Sequence, residues 1–190
     1  MDAAISIAVG LGLAAATGMR VFVPLLITSI AGLTGTIEMA SGFDWLATTP
    51  AAIALGAASA FEVAGYFIPF FDHVLDTIAT PTSVVAGALA SASVIVDLPP
   101  ELHGLIAIAG GGGTAGVVQG TTAVVRLGST ATTAGLGNPL VALVELIGST
   151  VTSVLAIVVP ILCVVLVAIG LGFALWRFSP GRREDRNRAA

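Results

Sequence analysis

Four ionisable side chains interrupt stretches of this chain that are otherwise apolar: Arg20, Glu62, Arg126 and Glu145. They occur as one arginine followed by one glutamate in each half of the sequence. A charge at the centre of a lipid bilayer costs about 3 kcal/mol even on lenient insertion scales, so such residues normally pair or line a polar pathway. The pattern therefore predicts a buried polar site that handles a substrate or protons.

The two glutamates allow three kinds of chemistry. In the first interpretation the arginines neutralise the glutamates, since two positive and two negative charges sum to zero. Alternatively they carry protons, because burial favours the neutral form of a carboxyl group. In the third interpretation they ligate a cation together with Asp72 or Asp76, which lie four residues apart on one face of an amphipathic helix over residues 70–80. Asp72, Asp76 and Asn138 are secondary candidates, and we expect neither a metal centre nor a cofactor.

Interruptions of the apolar stretches are a second source of polar groups. Candidate helix breaks are one proline and five glycines: Gly18, Pro24, Gly110, Gly111, Gly112 and Gly113. A broken membrane helix exposes backbone N–H and C=O groups that lipid cannot satisfy, so it must face protein or water. The N-terminus of a half-helix also favours an anion. The alternative is that these glycines only allow helices to pack closely.

Composition indicates the environment in which these elements fold. Of the 190 residues, 56% are hydrophobic and 9% are charged, and the mean hydropathy is +1.05. Soluble domains carry about 25% charged residues. The sequence therefore predicts an integral membrane protein, with a single polytopic membrane domain over residues 1–178. The lone Cys163 excludes an internal disulfide.

The apolar stretches predict an all-α protein with five to six transmembrane segments, some of them broken or re-entrant. About 20 residues cross the hydrocarbon layer as a helix. The stretches cover residues 3–33, 51–71, 82–96, 102–125 and 139–178. The last one accommodates either two crossings or a half-helix over residues 139–147 followed by one long span.

Charge in the connections predicts the topology. Five of the seven basic residues, all arginines, lie within the last fourteen positions. Because cytoplasmic segments carry an excess of arginine and lysine, we expect a multi-pass protein of the bacterial inner membrane with a cytoplasmic C-terminus. The arginine-rich tail over residues 179–190 is expected to be disordered.

The two halves of the chain resemble each other. Residues 60–65 and 143–148 both place a glutamate in an apolar helix with a glycine three positions later, and an arginine precedes each segment. We therefore expect a two-fold internal repeat over residues 1–98 and 102–178, inverted if each repeat crosses three times. Inverted repeats with broken helices are a plan of secondary transporters, in which the binding site lies near the midplane.

The segment from Glu62 to Asp72, with Ile68-Pro69 inside it, resembles an uncharacterised family of small bacterial membrane proteins catalogued as domain of unknown function 4126. That family's pattern there is E-x-x-A-D-x-I-P-x-x-D, and it includes an early G-[LM]-R-x-x-x-P. Gly18-Met19-Arg20 followed by Pro24 fits the early element. The resemblance covers nearly the whole chain up to about Trp176.

A later element of the same family pattern is an arginine followed by N-P-x-x-S-x-x-E-D. Arg126, Asn138-Pro139 and Glu145 fit this element. The chain departs from it at Ala142 and Leu146, where the family has serine and a second acid. The resemblance implies the architecture of the membrane domain, and it brings no activity with it.

Together these features favour a small secondary transporter or channel-like protein with a polar midplane site for a small anion or an amphiphile. The alternative is a non-catalytic accessory or scaffold subunit of a larger membrane complex. An enzyme is not expected, because no HExxH, P-loop or hydrolase arrangement is present; an intramembrane enzyme with a buried glutamate as acid or base is a third interpretation. The expected partners are the lipid bilayer, a second copy or a larger membrane complex, and a small polar or anionic substrate, but no nucleic acid.

Overall fold

The structure, a computed structural model, describes residues 2–67 and 71–178, and all the regular secondary structure in these residues is helical. No strand occurs among these residues, so the all-α fold class is confirmed. The elements are α1 (Ala3–Thr17), α2 (Phe22–Leu33), a 3-10 turn (Asp44–Ala47), α3 (Thr49–Gly65), α4 (Phe71–Val94), α5 (Pro100–Leu105), a π-helical segment (Ile106–Gly112), α6 (Gly113–Thr133), α7 (Asn138–Val158) and α8 (Pro160–Phe178).

Helix α1 lies at the centre of the molecule and packs against α4, α6, α7 and α8. Small residues on α1 make these contacts close. A Cβ atom at Gly10 would lie 2.8 Å from Ser91 Oγ, and one at Gly12 would lie 2.7 Å from the Cβ of Ala156. Leu13, which follows Gly12, is fully buried. Close packing of small residues is the usual way in which membrane helices associate.

The first expected break is present between α1 and α2. Helix α1 ends at Thr17, and α2 begins at Phe22 after a short connection that contains Gly18 and Arg20. The prediction that Pro24 is itself a break is wrong. Pro24 lies in the first turn of α2, where a backbone N–H has no intrahelical partner and a proline costs nothing.

The run from Gly110 to Gly113 does not break its helix, contrary to the expectation. α5, the π-helical segment and α6 follow one another without interruption from Pro100 to Thr133. The glycines instead allow α4 to approach: a Cβ at Gly111 would lie 2.5 Å from Ser91 Cβ and 2.8 Å from the Gly87 carbonyl oxygen. The packing interpretation is therefore correct for Gly111, whereas a Cβ at Gly113 would meet nothing within 4 Å.

Helix α4 joins two elements that the sequence separates. The amphipathic segment 70–80 and the apolar stretch 82–96 form one helix, Phe71–Val94, which continues through Pro81. The described part of the amphipathic segment is therefore helical, as predicted, but it does not form a helix separate from the next apolar stretch. The side chains of Asp72 and Asp76, the two secondary candidates on it, lie outside the described residues.

The last apolar stretch forms two helices. Val159 has non-helical backbone angles (φ −139°, ψ 68°), and α8 begins at Pro160. Proline disfavours the helical conformation of the residue before it and is well suited to a first helical turn. The alternative of a half-helix over residues 139–147 followed by one long span is wrong.

Two described helical stretches are long and apolar enough to cross a membrane, judged by length and composition alone: Thr77–Val94 and Asn138–Val158. Four shorter helices are also apolar, and these are Ala3–Thr17, Phe22–Leu33, Thr49–Gly65 and Pro160–Phe173. The expected five to six crossings remain a prediction.

Candidate binding site

Three of the four predicted site residues form an ion cluster in the interior. Arg20 lies in the α1–α2 connection, Arg126 on α6 and Glu145 on α7. Arg126 donates from Nε to Glu145 Oε1 over 2.9 Å and from Nη2 to Oε2, so that the pair is bidentate. Arg20 Nη2 lies 3.2 Å from the same Oε2 and also donates to the Ala142 carbonyl oxygen over 2.8 Å. One carboxylate therefore binds both arginines.

Glu62 has different partners. Its Oε1 accepts a hydrogen bond from the backbone N–H of Val21 over 2.8 Å, and its Oε2 accepts one from Phe22 over 3.0 Å. These N–H groups belong to the beginning of α2, where the helix dipole stabilises a negative charge. The anion expected at the N-terminus of a broken helix is therefore a carboxylate of the chain itself.

The two glutamates do not each pair with the arginine of their own half of the chain. Both arginines lie at Glu145, on α7, and no ion pair to Glu62 occurs among the described residues. The neutralisation interpretation is thus correct for one glutamate, while the other is stabilised mainly by backbone donors. Neither the proton-carrier nor the cation-ligand interpretation is tested by these contacts.

Tyr66 joins the two parts of the site and was missed by the sequence interpretation. The Cζ atom of Arg20 lies 3.9 Å from the centroid of the Tyr66 ring, and that of Arg126 lies 4.1 Å from it. Both distances are well inside the range of cation–π interactions. Tyr66 is the only tyrosine of the chain and follows Glu62 by four residues, a spacing that could have identified it.

The site is withdrawn from the surface. Arg20 is 1% exposed, Arg126 4%, Glu145 5% and Glu62 8%. Within the described part of the chain, Arg20 Nε and Nη1 have no hydrogen-bond partner. Because a buried unpaired charge is costly, Arg20 depends strongly on Glu145 and on the Tyr66 ring.

A cavity of about 580 Å³ opens beside Glu62 and Tyr66. Its walls come from the first residues of α2, the second half of α3 and the first half of α4. Most of the lining is apolar, and it includes Phe61, Leu75 and Ile78. The volume falls within the range of small-molecule sites, roughly 300–1,000 Å³. Neither arginine lines it.

Asn138, the remaining secondary candidate, lies apart from this cavity at the beginning of α7. Its Nδ2 donates to Thr130 Oγ1 over 3.1 Å, which connects α7 to α6.

Gly18 allows close packing and is not a ligand: a Cβ there would lie 2.5 Å from the Ala115 carbonyl oxygen. Among the described residues, no group of three or more acidic, histidine or cysteine side chains is arranged to bind a metal.

Comparison with known proteins identifies the family. The family model described as "Domain of unknown function (DUF4126)" matches residues 7–179, and the chain therefore belongs to this family. No curated protein and no solved structure matches the chain.

Proposed function

We propose that this family member is a small secondary transporter or channel-like protein of the bacterial inner membrane, with its working site at Glu62, Tyr66 and the ion cluster behind them. Composition supports the membrane location, since only 9% of the residues are charged. Many large apolar side chains are also exposed in the isolated chain, among them Phe61, Ile108 and Leu140. A lipid environment accounts for such a surface.

The observation that carries the proposal is the convergence of charges from both halves of the chain on one interior point beside a cavity. Arg20 and Glu62 come from the first half, and Arg126 and Glu145 from the second. A protein that needed only to span a membrane would avoid four buried ionisable groups, because each one is expensive in lipid. A site that handles a polar group explains why they are present.

The two halves also support a repeated plan. Each has a first helical region, then a helix bearing a glutamate, then a further helix: α1–α2, α3 and α4 in the first half, and α5–α6, α7 and α8 in the second. The first region is broken in one half, whereas in the other half it continues through a π-helical segment. We propose repeats over residues 1–98 and 102–178 on this basis, with the C-terminus in the cytoplasm.

Of the two expected kinds of cargo, the geometry favours an amphiphile over a small anion. The backbone donors at the start of α2 are bound to Glu62, and both arginines are bound to Glu145. The positive groups that would attract an anion are thus engaged by carboxylates of the chain. The large apolar cavity suits the hydrocarbon part of an amphiphile instead.

The test is a flux measurement on the purified protein in liposomes that contain the pH dye pyranine. Tetraphenylphosphonium or benzoate is added outside, and protein-free liposomes give the background. We expect one of these solutes to cause a protein-dependent change of internal pH. Glu62→Gln should abolish this change without loss of expression. Loss of flux in Glu145→Gln counts only for protein that is still folded, because Glu145 binds both buried arginines. Normal flux in both variants would show that neither glutamate carries protons, and no flux with either solute would contradict the transporter proposal.

A scaffold subunit is the second candidate. The charges of the four site residues favour it, because two arginines and two glutamates sum to zero inside the fold. In that case the charges only determine how the helices pack. Purification of the protein in mild detergent from its native membrane distinguishes the two. A stoichiometric partner whose removal unfolds the chain supports the scaffold, whereas a stable isolated protein supports the transporter.

A further inference from the structure

The cavity beside α3 has an uneven distribution of charge. Among the described residues that line it, Glu62 is the only charged one. Its nearest described cationic neighbours, Arg20 and Arg126, lie over the Tyr66 ring and contact Glu145. A molecule in the cavity therefore meets a carboxylate first, and meets the guanidinium groups only behind an aromatic ring.

Glu62 retains acceptor capacity. A carboxylate offers about four lone-pair positions, and each of its oxygens accepts one described hydrogen bond, from Val21 or Phe22. Both oxygens therefore have a further acceptor position beyond these two bonds. Since the side chain is 8% exposed, a cation that reaches it is attracted much more strongly than it would be in water.

The remaining wall suits hydrocarbon or aromatic groups. Leu75, Ile78 and Ala79 on α4 face Ala58 and Phe61 on α3 across the cavity. Phe61 is 80% exposed and Ile78 52%, so apolar side chains line the side that is open to the surroundings.

We propose that this cavity binds a lipophilic cation, with the positive centre at Glu62 and the apolar part between α3 and α4. The inference rests on the proposed function for its biological meaning, and it specifies the charge of the substrate. It replaces the small anion expected from the helix break, because Glu62 already binds the N–H groups of that break.

Tetraphenylphosphonium and tetraphenylborate test the charge, because they have the same shape and nearly the same size but opposite charge. Binding of each to the purified full-length protein is measured by isothermal titration calorimetry, with the detergent alone as the blank. We expect the cation to bind about tenfold to a hundredfold more tightly, as one partly desolvated charge pair would give. Equal affinity, preference for the anion, or no binding of either would overturn the proposal.

Two neighbouring substitutions test the location. Ala58→Phe places a ring in the cavity and should weaken binding of the cation about tenfold or more, whereas Ala57→Phe, on the exposed face one residue earlier, should leave it unchanged. Unchanged binding by Ala58→Phe would overturn the assignment of the site. These variants keep the carboxylate, so they remain informative if Glu62→Gln fails to fold.

Glu62→Gln tests the residue itself. If the variant folds, the cation should lose most of its advantage over tetraphenylborate, while Glu101→Gln on the exposed α5 should have no effect. An unchanged preference for the cation would overturn the role of Glu62. Because these are equilibrium measurements, tight cation binding without any flux in liposomes would contradict the transporter proposal and leave this inference intact.

Discussion

Glu145→Gln should destabilise the protein strongly, because Glu145 is the carboxylate that binds both buried arginines. The substitution removes a bidentate pair with Arg126 and a contact of 3.2 Å with Arg20. Removing one partner of a buried ion pair costs about 3–5 kcal/mol. The glutamine keeps one neutral acceptor for a guanidinium, so we expect the lower end, about 3 kcal/mol.

The magnitude follows from the charge that remains. With Glu145 neutral, Glu62 is the only remaining acidic residue of the four, and the four site residues together have a net charge of +1. A second substitution, Arg126→Gln, restores the balance between Arg20 and Glu62. We therefore expect the double variant to be more stable than the sum of the single effects predicts, by about 1.5 kcal/mol or more.

The assay is equilibrium unfolding in mixed micelles, in which sodium dodecyl sulfate is titrated into dodecyl maltoside and helix content is followed by circular dichroism. Glu101→Gln is the matched control, since it makes the same chemical change at an exposed position; its effect should stay within about 0.5 kcal/mol. A Glu145→Gln variant as stable as this control, or a double variant whose cost is the sum of the singles, would refute the reasoning.

Two further predictions concern the packing around the cluster. Gly18→Ala should destabilise the protein by about 1–3 kcal/mol, because its Cβ would lie 2.5 Å from the Ala115 carbonyl oxygen and 2.6 Å from Val118 Cβ. Gly113→Ala is the control: its Cβ would have no atom within 4 Å, so it should be neutral or stabilising in the same unfolding assay. Tyr66→Leu should cost about 1 kcal/mol more than Tyr66→Phe, since only phenylalanine keeps a ring under both guanidinium groups, and equal stabilities would contradict the cation–π contribution.

The gathering of the four charged residues was predictable from sequence, but their pairing was not. Arg20, Glu62, Arg126 and Glu145 stand out because each is expensive in an apolar helix. Which carboxylate meets which guanidinium depends on the rotation and depth of four helical elements. A shift of one residue turns a helical side chain by about 100°, and sequence spacing alone does not determine that rotation between separate elements.

Helix boundaries were predictable where local chemistry determines them. Pro50 lies in the first turn of α3, as expected, and Thr48 Oγ1 accepts a hydrogen bond from the Ala51 N–H as an N-cap. Pro160 carries the same signal for α8 and was overlooked, because no polar residue accompanies it. Pro81 shows the limit of the rule, since α4 continues through it.

Gly18 and Gly111 show why a glycine in an apolar stretch lies in a helix break in one case and in a close contact between helices in the other. Gly18 lies in a connection whose N–H groups at Val21 and Phe22 find Glu62, so a break there is stabilised by a buried acceptor. No charged side chain is close in sequence to Gly111, and helix α4 lies against it, with Ser91 Cβ only 2.5 Å from where a glycine Cβ would be. A helix breaks inside an apolar core only if something satisfies its free donors.

The position of Glu62 connects the fold to the proposed substrate. A carboxylate that binds the first N–H groups of α2 cannot move away without exposing two backbone donors, so Glu62 keeps its position at the wall of an apolar cavity. A cation that binds there does not need to displace any described interaction of Glu62, whereas an anion would meet backbone donors that already bind Glu62 and guanidinium groups that already bind Glu145. The choice between the two charges therefore depends on which groups the protein has already engaged.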